Sequence, residues 1–109
     1  MEIPGGHRNK WKILLYELFG TCFLVYAALT SGGDAVAVGL TLMVLIMCTG
    51  PITGAHYNPA VAIGVYVWQR KWIKNLGFFL MLLIAQFVGA LLGAGCSWLV
   101  MMPTYLADE

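Results

Sequence analysis

The sequence predicts an all-α membrane protein, on three observations. Of its 109 residues, 61% are hydrophobic and 10% are charged, whereas a typical soluble domain has about 25% charged residues. The mean hydropathy is +0.82. The apolar residues are also grouped in runs long enough to cross about 30 Å of hydrocarbon as helices. We expect residues 1–109 to form a single domain.

Three apolar runs are predicted to be transmembrane helices. The first covers about residues 13–30, after a basic segment with Trp11 that is typical of a membrane edge. No small-residue cleavage site follows this run, which favours a permanent span over a signal peptide. A tight polar turn, Ser31–Asp34, leads to the second run at about residues 35–49, which we expect to end at Gly50-Pro51. The third run covers about residues 76–101.

A shorter segment at about residues 59–68 lies between the second and third runs. Ten residues of helix rise only about 15 Å, which is half a bilayer. Asn58-Pro59 suits a helix start, because asparagine is a favoured cap and proline has no N–H to leave unpaired at the first helical position. We predict a re-entrant half-helix. Non-helical backbone beside it, at membrane depth, must be buried in protein or line a watery cavity.

The positive charges predict an orientation. The six lysines and arginines are Arg8, Lys10, Lys12, Arg70, Lys71 and Lys74. If the half-helix returns to the face it left, all six lie on one side of the membrane. The positive-inside rule then puts the N-terminus and the re-entrant loop on the cytoplasmic or matrix-like face, and the C-terminus across the membrane. Both a plasma membrane and an organellar one, including the mitochondrial inner membrane, are compatible with the sequence.

The composition also argues against several other classes of function. The basic residues form two flanking clusters rather than a continuous face with interleaved aromatic residues, so we expect no nucleic-acid binding. The three cysteines lie inside apolar runs without metal-ligand spacing and are interpreted as small buried hydrophobes. We find no nucleophile–base pair and no metal-ligand cluster, and therefore expect no enzyme activity, metal or cofactor.

Three motifs resemble those of a known family. Residues 53–61, TGAHYNPAV, resemble the SGxHxNPAV signature of the major intrinsic proteins, which are the aquaporins and glycerol channels. Glu17–Thr21 resembles the Glu-x-x-Gly-Thr of that family's first span, and Ala85–Ala90 resembles the Ala-Gln-x-x-Gly-Ala of its third. The resemblance implies an aquaporin-like N-terminal half with three transmembrane helices and one re-entrant half-helix. It further implies passive transport of water or small neutral solutes.

Physical chemistry assigns roles within this motif. The N-terminus of a half-helix near the bilayer midplane presents unpaired N–H groups and about half a positive charge, which disfavours cations. We expect Asn58 to cap the helix with its amide oxygen and to donate from its NH₂ group to a passing water. Carbonyl groups of an extended stretch before it would then act as acceptors. The predicted pore residues are Asn58, Pro59 and Ala60, with the backbone of Gly54, Ala55, His56 and Tyr57.

Further residues have roles implied by the resemblance. Glu17 and Gln86 are expected to hold the loop backbone, and a proton-carrying role for Glu17 is the less favoured alternative. Val38 falls at the second-span constriction position, where strict water channels have a bulky aromatic residue, and Ala62 stands where the family usually has threonine. His56 is interpreted as a loop histidine hydrogen-bonded to backbone rather than as a pH gate.

A single half does not close a pore, so two functions remain open. In the first, the chain pairs with an inverted second half; the bias of basic residues to one face disfavours an antiparallel homodimer and points to a separate polypeptide. In the second, the chain is a non-transporting structural subunit of a larger membrane complex. Membrane lipid and other membrane subunits are expected partners in both. Gly89-x-x-x-Gly93 is predicted to be a close helix-packing face.

Overall fold

The structure, a computed structural model, describes residues 10–108, all in helices and connecting turns. Its four helices are α1 (Lys10–Thr30), α2 (Ala35–Thr53), α3 (Pro59–Gln69) and α4 (Trp72–Ala107). Helices α1, α2 and α4 are long and apolar enough to cross a membrane. The all-α membrane fold predicted from the sequence is confirmed. Arg8 and the rest of the basic start before Lys10 lie outside the described residues.

Helices α1 and α4 form the central pair of the fold. Gly89 lies against the backbone of Leu18, and Gly93, one turn later, lies against the backbone of Cys22. The matching order of the two contacts shows that the helices run parallel. A Cβ atom built on Gly89 would come within 3.0 Å of the Leu18 carbonyl carbon. Glycine is therefore required for this approach, as the Gly-x-x-x-Gly spacing predicted.

The turn between α1 and α2 reverses the chain direction. Gly32 and Gly33 have φ angles of 69° and 80°, which favour glycine. Asp34 then caps α2, with its Oδ2 accepting from the backbone N–H of Ala37 at 3.0 Å. Helix α2 packs only against α1 within the described residues. Most of its surface is therefore open to lipid or to a partner.

The end of α2 differs from the sequence-based expectation. The helix does not stop at Gly50-Pro51 but continues through Pro51 to Thr53. Proline removes one helical N–H bond, and the last turn is closed instead by Gly54, whose N–H donates to the Gly50 carbonyl at 2.8 Å. Gly54 is left-handed, with φ 84°, which is a common glycine cap at a helix C-terminus.

Helix α3 packs mainly against α4. The ring of Tyr66 stacks on Phe79, with centroids 4.1 Å apart, and the Tyr66 hydroxyl donates to the carbonyl of Trp72. The end of α3 is thus fixed to the first turns of α4. Because α3 has 11 residues, it rises about 16 Å, roughly half the thickness of a bilayer core.

Helix α4 is longer than the predicted span. It has 36 residues, beginning four residues before the predicted start and ending six after the predicted end. Pro103 lies inside it, because losing one N–H bond near the exposed end of a helix does not stop the chain from continuing in helical form. The extra residues extend α4 beyond both ends of α1.

The buried core lies between α1, α3 and the first half of α4. It consists of Ile13, Leu14, Ala62, Phe78, Phe79, Leu82 and Ala85. Because α1 and α4 are parallel, Lys10 and Lys12 lie at the same end of the bundle as Arg70, in the turn between α3 and α4, and Lys74, in the first turn of α4. Asp34 lies at the opposite end. The described charges are therefore segregated along the bundle axis.

Candidate functional site: a polar loop on buried Glu17

The loop between α2 and α3 returns the chain toward the middle of the bundle. It comprises residues 54–58, and Tyr57 packs against Gly20, near the midpoint of α1. The φ angles of Gly54, Ala55 and Tyr57 are 84°, 51° and 52°. The expected extended conformation of this stretch is therefore wrong, because three of its four residues adopt the left-handed region.

Every N–H group of residues 54–57 donates to an acceptor within the protein. Gly54 donates to the Gly50 carbonyl, and Ala55 donates to the hydroxyl of Thr53 at 2.9 Å. The N–H groups of His56 and Tyr57 both donate to the carboxylate of Glu17. The left-handed residues turn these donors inward, which explains why the stretch is not extended.

Glu17 is the polar centre of this arrangement. Its side chain is completely buried, as is that of Gln86. Oε1 accepts from the N–H of His56 at 3.1 Å, and Oε2 accepts from the N–H of Tyr57 at 2.8 Å. The Nε2 of Gln86 donates to the same Oε2 at 3.3 Å. Three donors thus surround one carboxylate, as a buried carboxylate requires.

The carbonyl groups of the loop differ from its N–H groups in their hydrogen bonding. Among residues 10–108, no hydrogen bond ends on the carbonyl oxygens of Gly54, Ala55, His56 or Tyr57. The loop is therefore polarised, with its donors bound inside the protein and its acceptors unoccupied. Such a stretch can accept hydrogen bonds from a mobile polar molecule without first breaking internal bonds.

Asn58 begins α3. Its backbone is extended, and its Oδ1 accepts from the N–H of Ala60 at 2.9 Å. Pro59 is the first residue of the helix, and the side chains of Asn58 and Ala60 are exposed. With Oδ1 used for capping, the NH₂ group of Asn58 makes no hydrogen bond within the described residues and is free to donate.

His56 lies over the start of the loop. A Cβ atom on Gly54 would come 3.2 Å from Nε2 of His56, so the ring packs against the glycine. Nδ1 is buried without a hydrogen-bond partner in residues 10–108. No hydrogen bond from the imidazole to backbone is present in this range, so the expected one is not observed there; the residue is held through its backbone N–H.

Val38 does not join this site. It lies in the first turn of α2 and is half-buried, with its N–H donating to the Asp34 carbonyl. The 15 residues that separate it from Thr53 span about 22 Å of helix. Any pore constriction at Val38 would be separate from the loop and closer to the end of the bundle that carries Asp34.

The packing roles of two side chains were not predicted from the sequence. The side chain of Tyr57 is 2% exposed and fills the space beside Gly20. Ala62 is 0% exposed and belongs to the buried core, where it is enclosed by neighbouring apolar side chains. For Tyr57, the signal in the sequence was the spacing of Glu17 and Gly20, because residues three apart lie on the same face of a helix.

The described residues contain no group of three or more His, Cys, Asp or Glu side chains that would hold a metal ion. The site therefore consists of a buried carboxylate, an amide and polarised backbone. The chemistry available to these groups is hydrogen bonding.

Comparison with known proteins gives the family. The sequence profile of the major intrinsic protein family matches residues 5–108. Aquaporin NIP1-2 of Arabidopsis thaliana is 36% identical over 94 residues, covering 74% of this chain and 31% of the relative. Aquaporin NIP1-1 of Oryza sativa subsp. japonica is 33% identical over 95 residues, covering 75% and 32%.

Aquaporin-4 of Mus musculus is 29% identical over 109 residues, covering 86% of this chain and 33% of the relative. The chain thus spans about a third of the length of the curated relatives it matches. No solved structure matches it. The family profile covers nearly the whole sequence, and the chain belongs to the major intrinsic protein family, whose aquaporins are passive channels rather than enzymes.

Proposed function

We propose that this chain forms one half of a pore for water or small neutral solutes, and that an inverted second half completes the pore. The polarised loop is the observation that supports this most directly. Four consecutive carbonyl groups have no donor within the described residues, while the matching N–H groups are all bound. A water molecule moving past such a row exchanges one acceptor for the next.

The start of α3 supplies the complementary part of the proposed path. Its N-terminus contributes about half a positive charge, and the Asn58 NH₂ group adds a donor. A cation bound by the carbonyl groups would meet this positive end and be disfavoured there. A neutral molecule that both donates and accepts hydrogen bonds interacts favourably with both parts, and this favours water and small neutral solutes.

A second half is needed because this chain offers only one wall. Within residues 10–108, α3 packs mainly against α4, and α2 packs only against α1. An upside-down second copy of the same chain is disfavoured by the positive-inside rule, since the described basic residues are grouped at one end. The partner we infer is a different inverted half with its own Asn-Pro-Ala, and lipid surrounds the remaining apolar faces.

The proposed orientation follows from the same charges. The end with Lys10, Lys12 and Arg70 would face the cytoplasm or a matrix-like compartment, and the end with Asp34 would face the other side. Cysteine labelling from outside sealed vesicles tests this with Ser31→Cys and Lys71→Cys. In vesicles whose outer face corresponds to the non-cytoplasmic side, labelling of Ser31→Cys alone supports the orientation, and labelling of Lys71→Cys contradicts it.

Stopped-flow light scattering of vesicles that contain the native assembly tests transport. We expect faster osmotic shrinkage than in protein-free vesicles. The matched variant is Asn58→Asp, because aspartate is an equally good cap but cannot donate from its side chain. Losing this donor should slow permeation about tenfold, the effect of one hydrogen bond at a barrier. Rates equal to those of protein-free vesicles contradict transport and favour the structural-subunit alternative.

A further inference from the structure

Tyr57 makes the closest side-chain contact of the loop with α1. A Cβ atom built on Gly20 would come 2.5 Å from Cδ1 and 2.6 Å from Cζ of the Tyr57 ring. The ring therefore lies directly on the α-carbon of Gly20, where no other residue type leaves space. Tyr57 is also 2% exposed, so the ring is enclosed on its remaining sides.

The backbone of Tyr57 is attached to the same turn of α1. Its N–H donates to Oε2 of Glu17 at 2.8 Å, and Glu17 and Gly20, three residues apart, lie on one helix face. One helical turn thus holds Tyr57 at two points. The φ angle of 52° is costly for a bulky residue and persists only where the surroundings fix it.

We propose that Tyr57 is a positioning residue: its ring, seated on Gly20, fixes the distance of Asn58 and of the loop carbonyl groups from α1. This role rests on the proposed function, since the groups it positions are those of the proposed pore. Asn58 follows Tyr57 directly, so a displacement of the ring changes where α3 begins. The ring rather than the hydroxyl has this role, because the ring atoms are those that lie on Gly20.

Four variants of the full chain test this with amide hydrogen exchange measured by mass spectrometry. Tyr57→Leu removes the ring, and Gly20→Ala places a methyl group in the space that the ring fills. Each should accelerate exchange across residues 54–60 about tenfold, the effect of a lost buried contact on a local opening equilibrium. Tyr57→Phe keeps the ring and should exchange as the parent does. The double variant Gly20→Ala/Tyr57→Leu should return toward the parent rate, because the new methyl group fills the vacated space.

Exchange across Phe78–Leu82 in α4 separates positioning from general loss of structure. It should stay at the parent rate in all four variants. Acceleration in both regions, additive effects in the double variant, or parent-like exchange in Tyr57→Leu would each overturn the proposal. The measurement needs no transport, so it gives an answer even if the vesicle experiment fails. Where transport is observed, Tyr57→Leu should also change the ratio of water to glycerol permeability while Tyr57→Phe leaves it unchanged.

Discussion

Replacing Glu17 by glutamine is the sharpest test of how the loop is held. The carboxylate accepts from the N–H groups of His56 and Tyr57 at 3.1 and 2.8 Å. Glutamine has the same shape but only one acceptor oxygen, so its NH₂ group would face a backbone donor. The loss combines one hydrogen bond to a charged group, about 1.5–3 kcal/mol, with one buried donor left unpaired, about 1–3 kcal/mol.

The expected total of about 2.5–6 kcal/mol corresponds to an increase of at least about 70-fold in local opening of the loop. Hydrogen exchange of a peptide covering residues 54–60 measures this opening. Tyr16→Phe is the control, because Tyr16 is adjacent to Glu17 but 41% exposed. Exchange in Glu17→Gln that stays within about threefold of the parent would refute the reasoning, since one lost hydrogen bond alone predicts more.

Three further changes test the packing and the helix ends. Gly89→Ala should lower the free energy of unfolding in detergent by about 1–3 kcal/mol, because its methyl group meets α1 backbone, whereas Gly95→Ala in the same helix meets nothing within 4 Å and should be neutral or stabilising. Tyr66→Phe should cost about 1 kcal/mol through its lost hydrogen bond to Trp72, measured in the same denaturation. Asn58→Ala should cost about 1 kcal/mol of helix stability and accelerate amide exchange at the start of α3; unchanged exchange would contradict capping.

The sequence was informative where one residue type has one strong local preference. Asp34 and Asn58 are favoured helix caps, and both cap helices as short-range chemistry predicts. Gly89 and Gly93 have the spacing of a close helix contact, and α1 lies against both. These features depend on neighbours within four residues, or on the absence of a side chain, and are therefore readable from the sequence.

Helix ends were less predictable because proline gives an ambiguous signal. Pro51 suggested the end of the second apolar helix, yet α2 continues past it, and α4 likewise continues through Pro103. Each proline removes one N–H bond, a cost that nearby packing can offset. For α2, the deciding residue is Gly54, which closes the last turn from the left-handed region.

The conformation of the loop could not be predicted because it depends on residues distant in sequence. Glu17 is 40 residues from Tyr57 in the sequence. Its carboxylate accepts hydrogen bonds from two successive N–H groups of the loop only because the loop backbone turns there. Local preference disfavours positive φ at Ala55 and Tyr57. The sequence therefore suggested an extended stretch, and the tertiary contacts with α1 prevailed over that preference.

The energies involved explain why a carboxylate lies in the interior of this membrane protein. Two non-glycine residues in the left-handed region, Ala55 and Tyr57, cost about 1–3 kcal/mol each. The two N–H bonds to Glu17 contribute about 1.5–3 kcal/mol each, so the two effects are of equal size. A neutral acceptor would supply about half as much and leave the strained loop free to relax. Glu17 therefore acts as a fixed acceptor whose two hydrogen bonds to the loop offset the strain of the left-handed residues.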